Sequence, residues 1–576
     1  MYTLNELIKA SKTVSDGKTV RLAVLGSCST QFITKAVRGC GVKRGMNILT
    51  FESDYDQITE QIVDSRSALY NFEPDIVMIY MCSEKLYEEF CSDPEPEGFA
   101  EKQLGLIRGL HKLIAERTSA RVLQFGFAEI NDGVFGNFGA KVRSSFIFQI
   151  RKLNYLLQEL MAEEKNVFPV DLPGIQSEIG YEQLFPKVQY HNAKLTVDLK
   201  YIPMLAKNIV DIIAAMYGSR KKCVITDLDN TVWGGNAGDC DPGDLEIGAS
   251  GRGHAFLEYQ RFLKQLKNRG IILAVCSKNN EETAKLPFTC LDEMVLRLDD
   301  FVLFSANWEN KASNVRSIIE SLNISPDSVV FIDDNSFERN NVRELVPGVS
   351  VPELPESPEE YVSALRQCNF FETSSYSGED RLRTEQYRTE FRRRTDIADF
   401  ADYDDYLKSL EMKAKAEPFS RLTFARIAEL SQRSNQFNLR TVRYTEEEIS
   451  SIAASPEYIT RCFTLSDKYG SYGMISAVIM KKLSPDTLFI DTWILSCRVL
   501  KRGMEEFIIN TVVRAAAENG FTRIEAEYIP TPKNSMVKDI YDRYGFTPAG
   551  GGRYELLVRS FREFPCRITE IQEEKK

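Results

Sequence analysis

The sequence predicts a multidomain α/β protein, and three observations carry that reading. Short, largely apolar runs at 20–25, 75–80, 122–127, 223–226, 271–275 and 329–332 have the length of strands buried in parallel sheets. Amphipathic stretches lie between them: in 252–268, Phe256, Tyr259, Phe262, Leu263 and Leu266 recur near helical spacing, and Gly270 ends the run. At 576 residues the chain is too long for one domain.

Taken in order, residues 1–215 read as a first α/β domain, 216–355 as a second, 356–412 as a helical connector and 413–576 as a third domain. In the last, 475–480 and 488–495 alternate or run apolar as antiparallel strands do, and a helix over 504–518 follows. The composition, 43% hydrophobic and 27% charged, is that of a globular protein. A net charge of −11 argues against general nucleic-acid binding. No run approaches a membrane span, and the N-terminus lacks a basic-then-apolar signal pattern. A cytoplasmic protein is therefore expected, with its twelve cysteines as reduced thiols. Three histidines in all argue against zinc–histidine chemistry.

The chemistry concentrates where the apolar run 223–226 stops at Asp227-Leu228-Asp229-Asn230-Thr231. Ligands of open α/β sheets sit outside the carboxyl ends of strands, and residues i and i+2 of an extended strand share a face. Asp227 and Asp229 can therefore converge on one point. Their repulsion calls for a cation or a shared proton, and with no histidine nearby a hard, oxygen-seeking ion such as Mg²⁺ is expected. Three further stretches extend the pattern: Ser277 after 271–275, Lys311 at a predicted helix start, and Asp333-Asp334 after 329–332. Acid pair, hydroxyl, lysine, acid pair is a phosphoryl-transfer layout.

This layout resembles the haloacid dehalogenase-like (HAD-like) superfamily, with a Rossmannoid central domain. The resemblance casts Asp227 as nucleophile, Asp229 as acid and base, and Lys311 as a further catalytic group. Thr231, Ser277 and Lys311 would bind phosphate. Mg²⁺ would be held by Asp227, Asp333, Asp334 and the backbone carbonyl of Asp229. Too few residues separate the motifs for an inserted cap domain, which needs roughly 50 or more, so an open site accepting a large or tethered substrate is expected. The stretches DLDNTVWGG, CSKN, NWENK, FIDDNSFER, QRSNQFNLRTVRY and LSCRVLKRG are similar to the FkbH-like subfamily. Membership implies a glyceryl unit taken from 1,3-bisphosphoglycerate, dephosphorylated, and loaded as a thioester onto an acyl carrier protein with a phosphopantetheine arm.

The flanking domains fit that family. Residues 1–215 resemble a flavodoxin-like SGNH hydrolase, with Gly26-Ser27-Cys28 at the nucleophile's place but Tyr201 where Asp198-Leu199-Lys200 should lead to the base. His111 and His191 are the available bases there. A retained scaffold or docking domain is therefore expected. Residues 413–576 resemble the GNAT acetyltransferase fold, with strand, basic loop Ser496–Gly503 and helix forming a pyrophosphate-binding arrangement. Lys501 stands where that loop's first Gly belongs, which favours a carrier's phosphopantetheine over free acetyl-CoA. Arg498, Arg502, Gly503, Asn435, Gln436 and Asn438 are the expected contacts to the arm. Arg392, Arg393 and Arg394 could form a basic landing site for the carrier. An acyl-enzyme would need a thiolate-prone cysteine. Cys276 and Cys497 are the candidates, and Cys276, beside the phosphoryl site, is the one expected. The alternatives are a GNAT-type acyltransferase with an accessory phosphatase domain, or a non-enzymatic scaffold of a biosynthetic complex.

Overall fold

The computed structural model describes residues 2–376, 384–389, 402–434 and 436–571. The chain forms two compact units, Met1–Ala214 and Ala215–Lys576.

The first unit is built on a five-stranded parallel sheet, β1 (Thr19–Gly26), β2 (Asn47–Glu52), β3 (Ile76–Tyr80), β4 (Arg121–Phe125) and β5 (Val167–Val170), ordered β2-β1-β3-β4-β5. This is the flavodoxin-like order, with the topological switch between β1 and β3. Both β3 and β4 are buried along their whole length; β3 accordingly reads as a continuous apolar run, while β4 also buries Arg121 and Gln124. Beyond the switch point Ser27 and Cys28 follow β1, and Cys82 follows β3. The Cys82 amide donates to Ser27 Oγ at 2.8 Å, and the Ser27 amide to Tyr80 O at 3.0 Å. The two histidines do not complete a triad. His111 Nδ1 lies 2.6 Å from Glu164 and Nε2 3.1 Å from Gln124, so both ring nitrogens are engaged. Among the described residues no histidine hydrogen-bonds Ser27 or Cys28. Ser27→Ala and Cys28→Ala should each leave the protein's turnover within a few-fold of wild type in a steady-state assay; a loss of several orders of magnitude would assign catalysis to this unit.

The second unit contains two sheets. The first is parallel, with β6 (Cys223–Thr226), β7 (Ile272–Ser277), β8 (Phe301–Ala306) and β9 (Val329–Ile332) ordered β8-β7-β6-β9. Register pairs Thr226 with both Val275 and Ile332. Asp227, Cys276 and Asp333 are therefore the next residues of three adjacent strands. Alternation along the strands sorts the core into two layers. Cys223, Ile225, Ile272, Ala274 and Cys276 pack with Ala312, Val315 and Ile318 of the helix Lys311–Leu322. Val224, Leu273, Val275 and Ile332 pack with Phe256, Tyr259 and Leu263 of the helix Gly251–Asn268.

The glycine-rich segment after Asp229 folds back on itself. Gly234 and Glu246 exchange backbone hydrogen bonds of 3.1 and 2.9 Å. A Cβ at Gly234 would come within 2.5 Å of Glu246 Oε2 and 2.8 Å of Phe256, so a side chain there would push this turn apart.

The second sheet is mixed. It comprises β10 (Lys413–Glu417), β11 (Tyr458–Asp467), β12 (Gly470–Lys482), β13 (Thr487–Leu495), β14 (Arg523–Glu527), β15 (Thr547–Gly550), β16 (Arg553–Leu557) and β17 (Thr569–Glu570), ordered β15-β16-β14-β13-β12-β11-β10-β17. Its core gathers Trp493, Phe507, Ile508, Tyr541 and Tyr544. Strands β13 and β14 run parallel and are joined by the helix Met504–Glu518, as a crossover requires. Gly503 starts that helix at φ 84°, a left-handed conformation that suits glycine. No helix among the described residues is long and apolar enough to cross a membrane.

Candidate active site

Asp227 lies at the end of the central strand β6, with its amide bonded to Ile332 O at 2.9 Å and its side chain buried. Lys311 is the first residue of its helix, whose cap Asn310 accepts from the Ala312 amide at 2.8 Å. Its ammonium bridges two carboxylates, 2.7 Å from Asp227 Oδ2 and 2.6 Å from Asp333 Oδ2. Burial works against this ammonium, but the charges of Asp227 and Asp333 more than offset it and hold its pKa above the ordinary lysine value. Burial, followed by the Asp227 charge, raises Asp333 to about 7 despite Lys311, and raises Asp334 as well. Among the described residues one cation, Lys311, thus serves this acidic cluster.

The cluster has the donor set of a divalent ion site. Asp227, Asp333 and Asp334 each offer one carboxylate oxygen, all within 4.8 Å of one another. Among the described residues, Asp227 Oδ1 is buried without a hydrogen-bond partner. A buried carboxylate oxygen left unpaired is costly, and an oxygen-seeking cation would satisfy it. The carboxylate of Asp229 stands apart. Its Oδ1 accepts from Trp233 Nε1 at 2.9 Å and the Ala237 amide at 3.0 Å, and its Oδ2 from Asn279 Nδ2 at 3.1 Å. Burial first, then the Asp227 charge, raises its pKa over the effect of those donors, which suits a group that must carry a proton.

Ser277 closes β7 and is buried. Thr231 is turned differently from the phosphate-binding expectation. Its hydroxyl is fully buried, lies 3.4 Å from Asp334 Oδ1 and accepts from the Asp334 amide at 3.2 Å, so it fixes the second acid pair. Arg339 supports the same loop, donating to the carbonyls of Asp333 at 3.0 Å and Asp334 at 2.6 Å while paired with Glu353 at 2.9 Å. Trp233, Asn279 and Arg339 all lay in the quoted motifs, but nothing local in the sequence announced their roles.

Cys276 corrects an expectation. Its side chain faces the helix Lys311–Leu322 and is fully buried, with its thiol directed at Lys311 O at 3.8 Å. Burial is the main cause pushing the thiol well above the ordinary range, and Lys311 does not undo it. A protonated core thiol is a poor nucleophile.

The remaining candidates surround the Ser496–Gly503 loop. Cys497, Arg498 and Gln436 line one cavity, and Cys497 is half-buried, its carbonyl accepting from Asn323 Nδ2 at 3.1 Å. Arg502 and Asn438 instead have structural surroundings. The Arg502 guanidinium is buried over the Tyr472 ring, 5.5 Å from its centroid, and donates to its hydroxyl. Asn438 is buried, its Oδ1 accepting from the Thr441 amide at 2.8 Å. Lys501 adopts φ 62° where a glycine is usual, its amide bonded to Glu505 at 3.0 Å. Asn435 and Arg392–Arg394 lie outside the described residues.

An acid-lined site at the carboxyl ends of a parallel sheet, served by one buried lysine, defines a phosphoryl-transfer class of protein. Residues 21–214 match the family described as FkbH, N-terminal domain. The N-terminal part of the protein BF1531 from Bacteroides fragilis, described as containing a phosphatase domain complexed with Mg, is 44% identical. That match covers 65% of this chain and 100% of that one, with a TM-score of 0.63. This chain belongs to the FkbH-like family. Two acetyltransferase structures are also similar in part. The ribosomal-protein-S18-alanine N-acetyltransferase from Escherichia coli is 12% identical, over 28% of this chain and 98% of that one, with a TM-score of 0.20. The spermidine N-acetyltransferase from Vibrio cholerae, in complex with CoA and spermine, is 13% identical, over 26% and 96%, with a TM-score of 0.21. No match was found among curated proteins.

Proposed function

We propose that this protein is a Mg²⁺-dependent glyceryl transferase and phosphatase. It takes a glyceryl unit from 1,3-bisphosphoglycerate, removes the remaining phosphate, and delivers the acyl group to an acyl carrier protein through its phosphopantetheine arm. The observation that carries the phosphatase half is the unpartnered Asp227 Oδ1 beside Asp333 and Asp334. Asp227, Asp333 and Asp334 would hold Mg²⁺, which supplies positive charge against phosphate oxygens.

The chain's own groups then divide the work. Asp227 attacks phosphorus to form an aspartyl-phosphate as the ester oxygen leaves. Asp229, whose carboxyl pKa burial raises above its ordinary value, delivers the proton to that oxygen and afterwards takes one from the water that attacks phosphorus and breaks its bond to Asp227. Lys311 and the amino end of its helix, together with Ser277, hold the phosphoryl oxygens.

The acyl half is assigned to the opposite end of the same sheet. Asn323, which holds the Cys497 loop, precedes β9, whereas Asp333 follows it. Four strand residues span roughly 13 Å. A three-carbon acid held at one end is out of reach of the other, which is a reason for a tethered arm. Here the Cys497 sulfur would attack C1 of 1,3-bisphosphoglycerate, the C1–O bond to phosphate would break, and inorganic phosphate would leave. The pantetheine thiol then displaces Cys497 at the same carbonyl, and the proton it sheds returns to the Cys497 sulfur. Incubating the protein with 1,3-bisphosphoglycerate and no carrier, followed by digestion and mass spectrometry, should show a glyceryl or phosphoglyceryl adduct on Cys497 and none on Cys276. An adduct on Cys276, or none while carrier is loaded efficiently, would remove Cys497 from this role.

A further inference from the structure

A cavity of about 320 Å³ lies beneath the amino ends of β6, β7 and β9, bounded on its other side by the loop after β13. The chain is acidic overall, at net −11, yet among the described residues seven side chains lining this cavity are Lys or Arg and two, Asp327 and Glu372, are carboxylates, with Arg426 paired to the neighbouring Glu429 at 2.7 Å. Arg220, Lys221 and Lys222 enter just before β6 and Arg269 just before β7, while Arg426, Arg498 and Lys533 come from around the mixed sheet.

Several of these heads are fixed in place. Arg220 donates to Ser374 and, at 3.0 Å, to Ser375; Arg269 donates to Phe371 O at 2.6 Å, and Lys221 to Asp327 O at 2.6 Å. Asp327 registers the local field. Burial would raise its pKa, but Lys533, Ser325 and Lys221 together hold it below the ordinary value. Tyr376, Phe437 and Leu495 add apolar wall, and Cys497 and Gln436 lie in the same lining. Positioned cations around a partly apolar hollow of this size match a small organic phosphate.

We propose that this cavity is a second phosphate site, which binds a phosphate ester and presents it at Cys497. It rests on the glyceryl-transfer reading only for which ester arrives. Both the free phosphorylated acid and the pantetheine arm carry the required group.

Calorimetric titration of wild-type protein in EDTA, with 3-phosphoglycerate and with 4′-phosphopantetheine, separates the two sources. Without a metal, the cluster of Asp227, Asp333 and Asp334 repels anions. At least one probe should bind with 1:1 stoichiometry, more weakly as salt rises. Lys222→Gln with Arg269→Gln should weaken that binding tenfold or more, while leaving Mg²⁺-dependent hydrolysis of p-nitrophenyl phosphate at the wild-type rate. Should that pair disturb folding, Lys533→Glu at the rim should weaken binding several-fold by itself. Binding of neither probe, or wild-type binding by these variants, overturns the proposal. Asp227→Asn should leave the binding intact. If phosphomonoester hydrolysis survives that substitution while the cavity still binds, the phosphatase reading fails and the second phosphate site stands.

Discussion

Asp227→Asn should abolish phosphomonoester hydrolysis, by on the order of 10⁴-fold or more, because it removes the nucleophile of a covalent mechanism. The substitution keeps side-chain volume and leaves an amide that can still accept from Lys311. The fold should therefore persist, which circular dichroism would check alongside a phosphomonoester-hydrolysis assay. The size of the effect distinguishes a nucleophile from a neighbour. A residue that only helped to hold a cation would leave a measurable fraction of the rate at high Mg²⁺. Hydrolysis at near wild-type rate would show that the acid pair at the end of β6 is not the engine.

The second large effect belongs to Lys311. Its ammonium is the cation in contact with Asp227 and Asp333 among the described residues, and all three groups are buried. Lys311→Met keeps the side chain's length and apolar stem but leaves the carboxylates uncompensated. Breaking a buried ion pair by removing one partner costs about 3–5 kcal/mol. The metal-free variant should accordingly unfold at a distinctly lower temperature than metal-free wild type. Added Mg²⁺ should recover more stability in the variant than in wild type, since a bound cation stabilises by linkage and meets a larger charge deficit there. Turnover should fall by roughly 10²–10³, the scale of losing one donor to a transition-state oxygen. Equal melting temperatures in EDTA would mean that the cluster sheds its charge by protonation and does not depend on Lys311.

The acid cluster was legible in the sequence for a simple reason. Asp227, Ser277 and Asp333 are polar residues that interrupt apolar runs, and strand ends in parallel sheets are where ligands sit. Cys276 was misread although the same periodicity contained the answer. It shares parity with Ile272 and Ala274, so its side chain points at the helix below the sheet, whereas Ser277 shares parity with Leu273 and Val275. Thr231 belonged to the motif, but its contact with Asp334 depends on two strand ends lying side by side. Trp233, Asn279 and Arg339 act through other groups, so no spacing rule exposes them. The strands β10 and β11 went unread because charged and polar residues interrupt their runs. The basic cavity collects residues from Gly218 to Lys533, which the fold alone brings together.

Membership of the FkbH-like family and the geometry of the acid site bear on the phosphatase half; the acyl half rests on the loop carrying Cys497. The measurement that joins them is intact-mass spectrometry of a phosphopantetheinylated acyl carrier protein after incubation with this protein, Mg²⁺ and 1,3-bisphosphoglycerate. A carrier bearing a glyceryl thioester without phosphate is the result expected, with the phosphorylated form accumulating when Asp227→Asn replaces wild type. A carrier left unmodified by a protein that still hydrolyses small phosphomonoesters would contradict the glyceryl-transfer reading.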